Sequence, residues 1–173
     1  LFLLSTIALV AMRFMEPFVA PSSVRFQLGP PPKYNFDIYV ALSPDGKRLA
    51  FTAAGADRVP TLWVRDLELL EARQLPGTEG AWSPFWSPDG RSLGFFADGQ
   101  LKIADLVSGA IRNLTSWTGP IGGGTWNDEG IIVFADASGL RRIAAAGGTA
   151  ASLTNVDTAT STFDESPVFL PDG

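Results

Sequence analysis

Cysteine and histidine are both absent from the 173 residues. Their absence excludes a disulfide, a Cys/His zinc site, a cysteine nucleophile and a Ser-His-Asp relay from this chain. A chain without thiols fits any redox compartment. Charge is sparse as well: 13 Lys and Arg stand against 18 Asp and Glu, a formal net charge of −5. The basic residues are scattered, so the electrostatic footprint of a nucleic-acid binder is missing and no nucleic-acid partner is expected. Long amphipathic helical patterns are lacking too. The sequence LELLEA at residues 67–72 has helical propensity but is too short to stand alone.

What the chain does contain is apolar residues (46%), 18 Gly and 13 Pro, a composition of many turns around a sizeable core. One tetrad recurs. Ser-Pro-Asp-Gly occupies residues 43–46 and 87–90, Asn-Asp-Glu-Gly residues 127–130, and Leu-Pro-Asp-Gly residues 170–173. The spacings are 44, 40 and 43 residues. A period of this length marks a repeat architecture.

Each unit has the same parts in the same order. An aromatic-rich strand comes first, at residues 39–42, 84–86 and 124–126. The tetrad then reverses the chain: proline presets φ, Asp tolerates the next position, and Gly takes the left-handed conformation that a Cβ resists. The leading Ser43 or Ser87 can accept a backbone N–H, as can Asn127, and the whole reads as a hairpin turn with a glycine bulge. A second strand carries Leu49 and Phe51, Leu93 and Phe95, or Ile132 and Phe134 on one face. The third strand is LWVRDL, LKIADL or LRRIAA, and the short fourth is ARQL, IRNLT or ASLT. The third strand's apolar alternation is clear at Leu62/Val64 and Leu101/Ile103 but breaks at Leu140/Ile143. Four antiparallel strands per period predict an all-β propeller fragment of about three blades, at residues 36–80, 81–119 and 120–164, with a fourth begun.

These tetrads and their strands resemble the TolB-type, WD40-like (PD40) propeller repeats. LWVRDL, LPGTEG, SPFWSPDGR, GFFADGQLK and GGTWNDEGIIVFA look most like the C-terminal propeller of bacterial membrane-anchored serine/threonine protein kinases. The resemblance covers roughly residues 36–173. It implies a non-catalytic module for a protein or small-ligand partner on a propeller face, acting as the extracytoplasmic sensor of a kinase. Similar propellers also gate substrates in prolyl-oligopeptidase-type serine peptidases or serve as TolB-like periplasmic scaffolds, and both alternatives stay open. No kinase motif lies in these residues.

Ahead of the repeats, residues 1–12 (LFLLSTIALVAM) form an apolar run shorter than the roughly 20 residues that span a membrane. The C-terminal part of a transmembrane helix over residues 1–15, a signal-peptide core and a buried soluble helix are the competing readings. The first fits the resemblance best and makes the membrane a partner through residues 1–12. Residues 16–35 read as a Pro-rich linker in which Val24, Phe26 and Leu28 alternate as a candidate ring-closing strand. A start at Leu1 and a stop inside a turn motif read as a piece of a longer protein.

No catalytic, metal or cofactor residue is expected here. Asp45, Asp89 and Asp172 recur in the turns and are read as scaffold, and Asp66 and Asp105 as turn caps whose place Ala144 or Ala145 takes in the third unit. Residues 122–124 (Gly-Gly-Gly) lack the Lys-Ser/Thr ending of a P-loop and read as a loop between blades. Trp82, Phe85 and Trp86 are assigned to the core rather than to a stacking surface. Trp117 lies in a loop-like segment between units. Asn113-Leu114-Thr115 fits a glycosylation sequon, a pattern common by chance.

Overall fold

The computed structural model describes residues 29–69, 71–117, 122–154 and 166–169. The apolar run at residues 1–12, the candidate strand at residues 24–28 and Asp172 lie outside them. Twelve strands, and no helix among the described residues, form three separate four-stranded antiparallel sheets. The first sheet contains β1 (Asn35–Leu42), β2 (Arg48–Ala54), β3 (Pro60–Asp66) and β4 (Ala72–Gln74). The second contains β5 (Trp82–Trp86), β6 (Ser92–Ala97), β7 (Gln100–Asp105) and β8 (Ile111–Ser116). The third contains β9 (Gly123–Trp126), β10 (Ile131–Asp136), β11 (Gly139–Ala144) and β12 (Ala151–Ser152). Within each sheet the spatial order follows the chain order, as expected for propeller blades.

The repeated tetrad makes the first hairpin of each sheet. Gly46 N–H donates to the Ser43 carbonyl at 2.8 Å, with Gly46 at φ +70°. That bond occupies the Ser43 carbonyl, and the Arg48 N–H donates instead to Ser43 Oγ at 2.8 Å. Ser87 and Ser92 repeat the arrangement at 2.9 Å. In the third sheet the turn is one residue shorter, and the longer Asn127 side chain accepts the Ile131 N–H through Oδ1 at 2.9 Å. The leading residue therefore plays the expected role in all three copies.

Stacking of the sheets explains the apolar pattern of β6. Adjacent residues in a strand point to opposite faces. Phe95 packs with Ala50, Leu62 and Val64 of the first sheet, while Phe96 packs with Ile132, Phe134 and Ile143 of the third. Both phenylalanines are fully buried. Burial of each such side chain stabilises by roughly 1.5–3 kcal/mol, so the second sheet is held from both sides. The opposite face of the first sheet carries Phe51, Ala53 and Trp63, covered edge-on by Phe36 at 5.0 Å from Phe51 and by Tyr34 at 4.8 Å from Trp63.

The broken alternation in β11 has a physical reason. Arg141 lies opposite Phe134 in register and holds its guanidinium carbon 5.9 Å from that ring. Its head is fixed by Asp136 at 3.3 Å and by the Ala150 carbonyl at 3.0 Å. The arginine stem thus covers the ring that an aliphatic residue would otherwise cover. Of the LELLEA stretch, residues 67–69 form a turn rather than a helix, with Leu69 N–H bonded to the Asp66 carbonyl at 3.0 Å, and Ala72 opens β4.

Candidate functional site

Strands β1, β5 and β9 are the inner strands, packed side by side across the three sheets. The ladders of β1 and β5 are interrupted just ahead of the turn, between Phe36 and Val40 and between Trp82 and Phe85. At that level Ser83 adopts φ +47°, Gly123 φ +113° and Ser166 φ +58°. Ser83, Gly123 and Ser166 each stand four residues before the leading residue of their tetrad, and Tyr39 occupies the same place in the first unit. Left-handed backbone at a non-glycine residue is uncommon and concentrates where a chain must be re-aimed.

These re-aimed positions meet. A Cβ added to Gly123 would lie 3.2 Å from Ser83 Oγ and 3.6 Å from Ser166 Cα. Ser166 N–H donates to the Gly122 carbonyl at 2.6 Å, and Ser166 Oγ to the same carbonyl at 3.0 Å. Residues 166–169 therefore run beside β9 as β9 runs beside β5. The result is a cleft of about 290 Å³ over the inner strands. It is lined by Tyr39, Ser83 and Ser166, by the glycines at residues 122–124, and by the apolar Val40 and Val168. Val40 and Val168 are 60% and 79% exposed. Tyr39 is braced by Trp82, ring centroids 6.0 Å apart.

The cleft can donate and accept hydrogen bonds, but its lining includes no carboxylate, amine or imidazole. Its serines have no neighbouring base to activate them. Among the described residues no three carboxylates gather to hold a metal ion, and no helix is long and apolar enough to cross a membrane.

The repeated carboxylates lie elsewhere. Asp45 and Asp89 sit exposed in their turns, accepting the Ser43 and Ser87 hydroxyls at 2.5 and 2.7 Å. Those hydroxyl bonds, with backbone N–H bonds from Lys47 and Arg91, hold both carboxyls below their ordinary value. Asp105 is lowered in the same way by the Ser108 amide and hydroxyl. Asp66 caps its turn through the Glu68 N–H at 3.0 Å. Phe85 and Trp86 are buried and Trp82 is half-buried. Trp117 is not a free loop residue: it meets Trp82 edge-on at 5.6 Å and Phe96 at 6.4 Å. Asn113 is exposed on β8, beside a break in the β7–β8 register between Asn113 and Thr115. The cleft itself escaped the sequence reading, although Ser-Pro at residues 83–84 and 166–167 recurs at a fixed distance before the turn.

No known family's sequence profile matches the chain. It is 27% identical over 107 residues to an uncharacterized peptidase, YuxL, of Bacillus subtilis (strain 168), covering 56% of this chain and 16% of that protein. Among solved structures it resembles TolB from Acinetobacter baumannii, with a TM-score of 0.60 and 21% identity, over 68% of this chain and 32% of that one. A putative TolB from Agrobacterium tumefaciens gives a TM-score of 0.63 and 19% identity, over 70% and 47%. The Cps50 (Swd1) β-propeller domain of Myceliophteria thermophila gives 0.53 and 18%, over 76% and 40%. The chain spans less than half the length of each of these proteins. At such identities the likeness establishes the fold: an all-β chain of TolB-like and WD40-like propeller blades.

Proposed function

We propose that this chain is a non-catalytic binding module, the extracytoplasmic sensor part of a membrane-anchored serine/threonine protein kinase. The observation that carries the binding role is the cleft over the inner strands. It offers hydroxyls, backbone groups and apolar side chains, and no lining group that titrates near pH 7. Such a site selects a protein loop or a small polar ligand by shape and hydrogen bonding and leaves it chemically unchanged. Assignment to a kinase rests on the resemblance of LWVRDL, SPFWSPDGR and GGTWNDEGIIVFA to that family's propellers. In this reading residues 1–12 belong to the membrane anchor and the Pro-rich stretch is the spacer that holds the propeller clear of the lipid. A TolB-like periplasmic scaffold is the untethered variant.

The similarity to a peptidase favours a second reading, the substrate-gating propeller of a prolyl-oligopeptidase-type enzyme. The full reading frame separates the two. The sensor requires H-R-D and D-F-G motifs upstream, the peptidase a G-x-S-x-G motif downstream. Placement is tested by adding protease to intact spheroplasts of the native host. The sensor is cut while a cytoplasmic control survives; a propeller that resists until lysis rules out the extracytoplasmic sensor.

A further inference from the structure

The junction between the first and second sheets is closed by an arginine. Arg48, at the start of β2, holds its guanidinium carbon 5.0 Å from the Trp86 ring centroid and donates to the Gly90 carbonyl at 2.8 Å. The next junction has the tryptophan without the arginine. Trp126 ends β9 as Trp86 ends β5, each directly before the leading residue of its turn. Ser92 stands where Arg48 stands, since both N–H groups donate to the Oγ of the leading serine. Ser92 is too short to reach an indole as Arg48 does, and among the described residues no cation lies over Trp126. The space is a cavity of about 340 Å³ between the second and third sheets.

Its lining suits the group that is missing. Trp126 is half-buried and Asp105 faces Ser92 across the β6–β7 ladder. Asp105 Oδ1 accepts the Val107 and Ser108 N–H groups and the Ser108 hydroxyl. Oδ2 accepts no bond among the described residues. The one cation in the lining, Arg112, donates to the Ala145 carbonyl, and Asp105 is the one carboxylate there. We infer that this cavity binds the guanidinium of an arginine side chain presented by a protein partner, stacked on Trp126 with Asp105 beside it. A planar guanidinium suits the site better than an ammonium because it can stack on the indole and hydrogen-bond in its plane together. This site is separate from the cleft over the inner strands and stands whether or not that cleft binds.

The test is titration of the chain with N-acetyl-arginine methylamide, read by the indole N–H resonance of Trp126, which is assigned by its loss in Trp126→Phe. A saturable shift is expected with half-saturation in the millimolar range, as for a lone side chain. The lysine analogue should bind about five-fold more weakly, on the scale of cation–π differences. Ser92→Arg rebuilds the Arg48–Trp86 arrangement, and should fold and lose the response. Asp105→Asn weakens binding at least three-fold and serves as the second variant should Ser92→Arg fail to fold. No saturable shift at Trp126, an undiminished response in folded Ser92→Arg, or equal or tighter binding of N-acetyl-glutamate methylamide overturns the proposal. The last outcome would make Arg112 the recognition group.

Discussion

The Phe85 ring sits where a side chain on Gly94 would be. An ideal Cβ at Gly94 falls 2.2 Å from Phe85 Cζ, and one at Gly124, on the next sheet, falls 2.6 Å from Phe85 Cε1. Phe85 and Gly94 are register partners on β5 and β6, so the ring lies flat over its cross-strand neighbour and reaches into the junction with the third sheet. Two glycines that look like breaks in strand sequences are therefore contact surfaces for one aromatic ring.

Gly94→Ala should destabilise the chain by about 1–3 kcal/mol, the usual cost of overpacking a filled core. The φ of Gly94 is ordinary for a strand, so the effect is steric rather than conformational. Phe85→Leu in the Gly94→Ala background should recover part of the loss, and a double-mutant cycle in urea measures the coupling. Additive effects would mean that the ring moves aside freely.

Thr78 closes the first sheet from inside. Its fully buried hydroxyl accepts the Leu62 N–H at 3.0 Å and donates to the Leu75 carbonyl at 2.6 Å. Thr78→Val keeps the shape and leaves the Leu62 donor unpaired, at an expected cost of about 1–3 kcal/mol. Thr78→Ser keeps the hydroxyl and should cost less. Urea midpoints of the two variants check the order.

Acid should weaken the fold from the turns. Asp45, Asp89 and Asp105 all have carboxyls lowered in the folded state, chiefly by serine and backbone donors. A lowered folded value contributes stability above the unfolded value of about 3.9, lost as pH falls through the folded values. With no histidine in the chain, no side chain with an ordinary value between pH 5 and 8 adds a slope there. Stability should be flat from pH 5 to 8 and fall below about pH 4. Replacing the three aspartates by asparagine should shrink the difference between pH 7 and pH 3, read from urea midpoints.

The turns were legible in the sequence because their chemistry is local. Pro44, Asp45 and Gly46 each suit one dihedral, and Asn127 can stand in for Ser43 because its amide oxygen reaches the same N–H. Sheet stacking was legible less directly. It follows from Phe95 and Phe96 both being apolar in a strand where one face would otherwise be polar. What could not be read were contacts set by neighbouring sheets. Nothing near Gly94 announces a ring from β5, and Arg141 shows in sequence only as a fault in alternation. The cleft was hidden for a related reason. Ser83 adopts a left-handed φ that its residue type disfavours, and only the surrounding sheets hold it there.

The central claim is that the inner-strand cleft is where this module meets its ligand. Site-specific photo-crosslinking in the native host tests it most directly. A benzophenone amino acid replaces Val40 or Val168 in the cleft, or Arg73 on the outer strand β4, in the full-length protein. Mass analysis of the purified product detects both a protein and a small-molecule adduct. The account predicts one defined adduct from Val40 and from Val168, none from Arg73, and loss of both when Ser83→Trp fills the cleft. Adducts of equal yield at all three positions, or none from the cleft while Arg73 crosslinks, would contradict it.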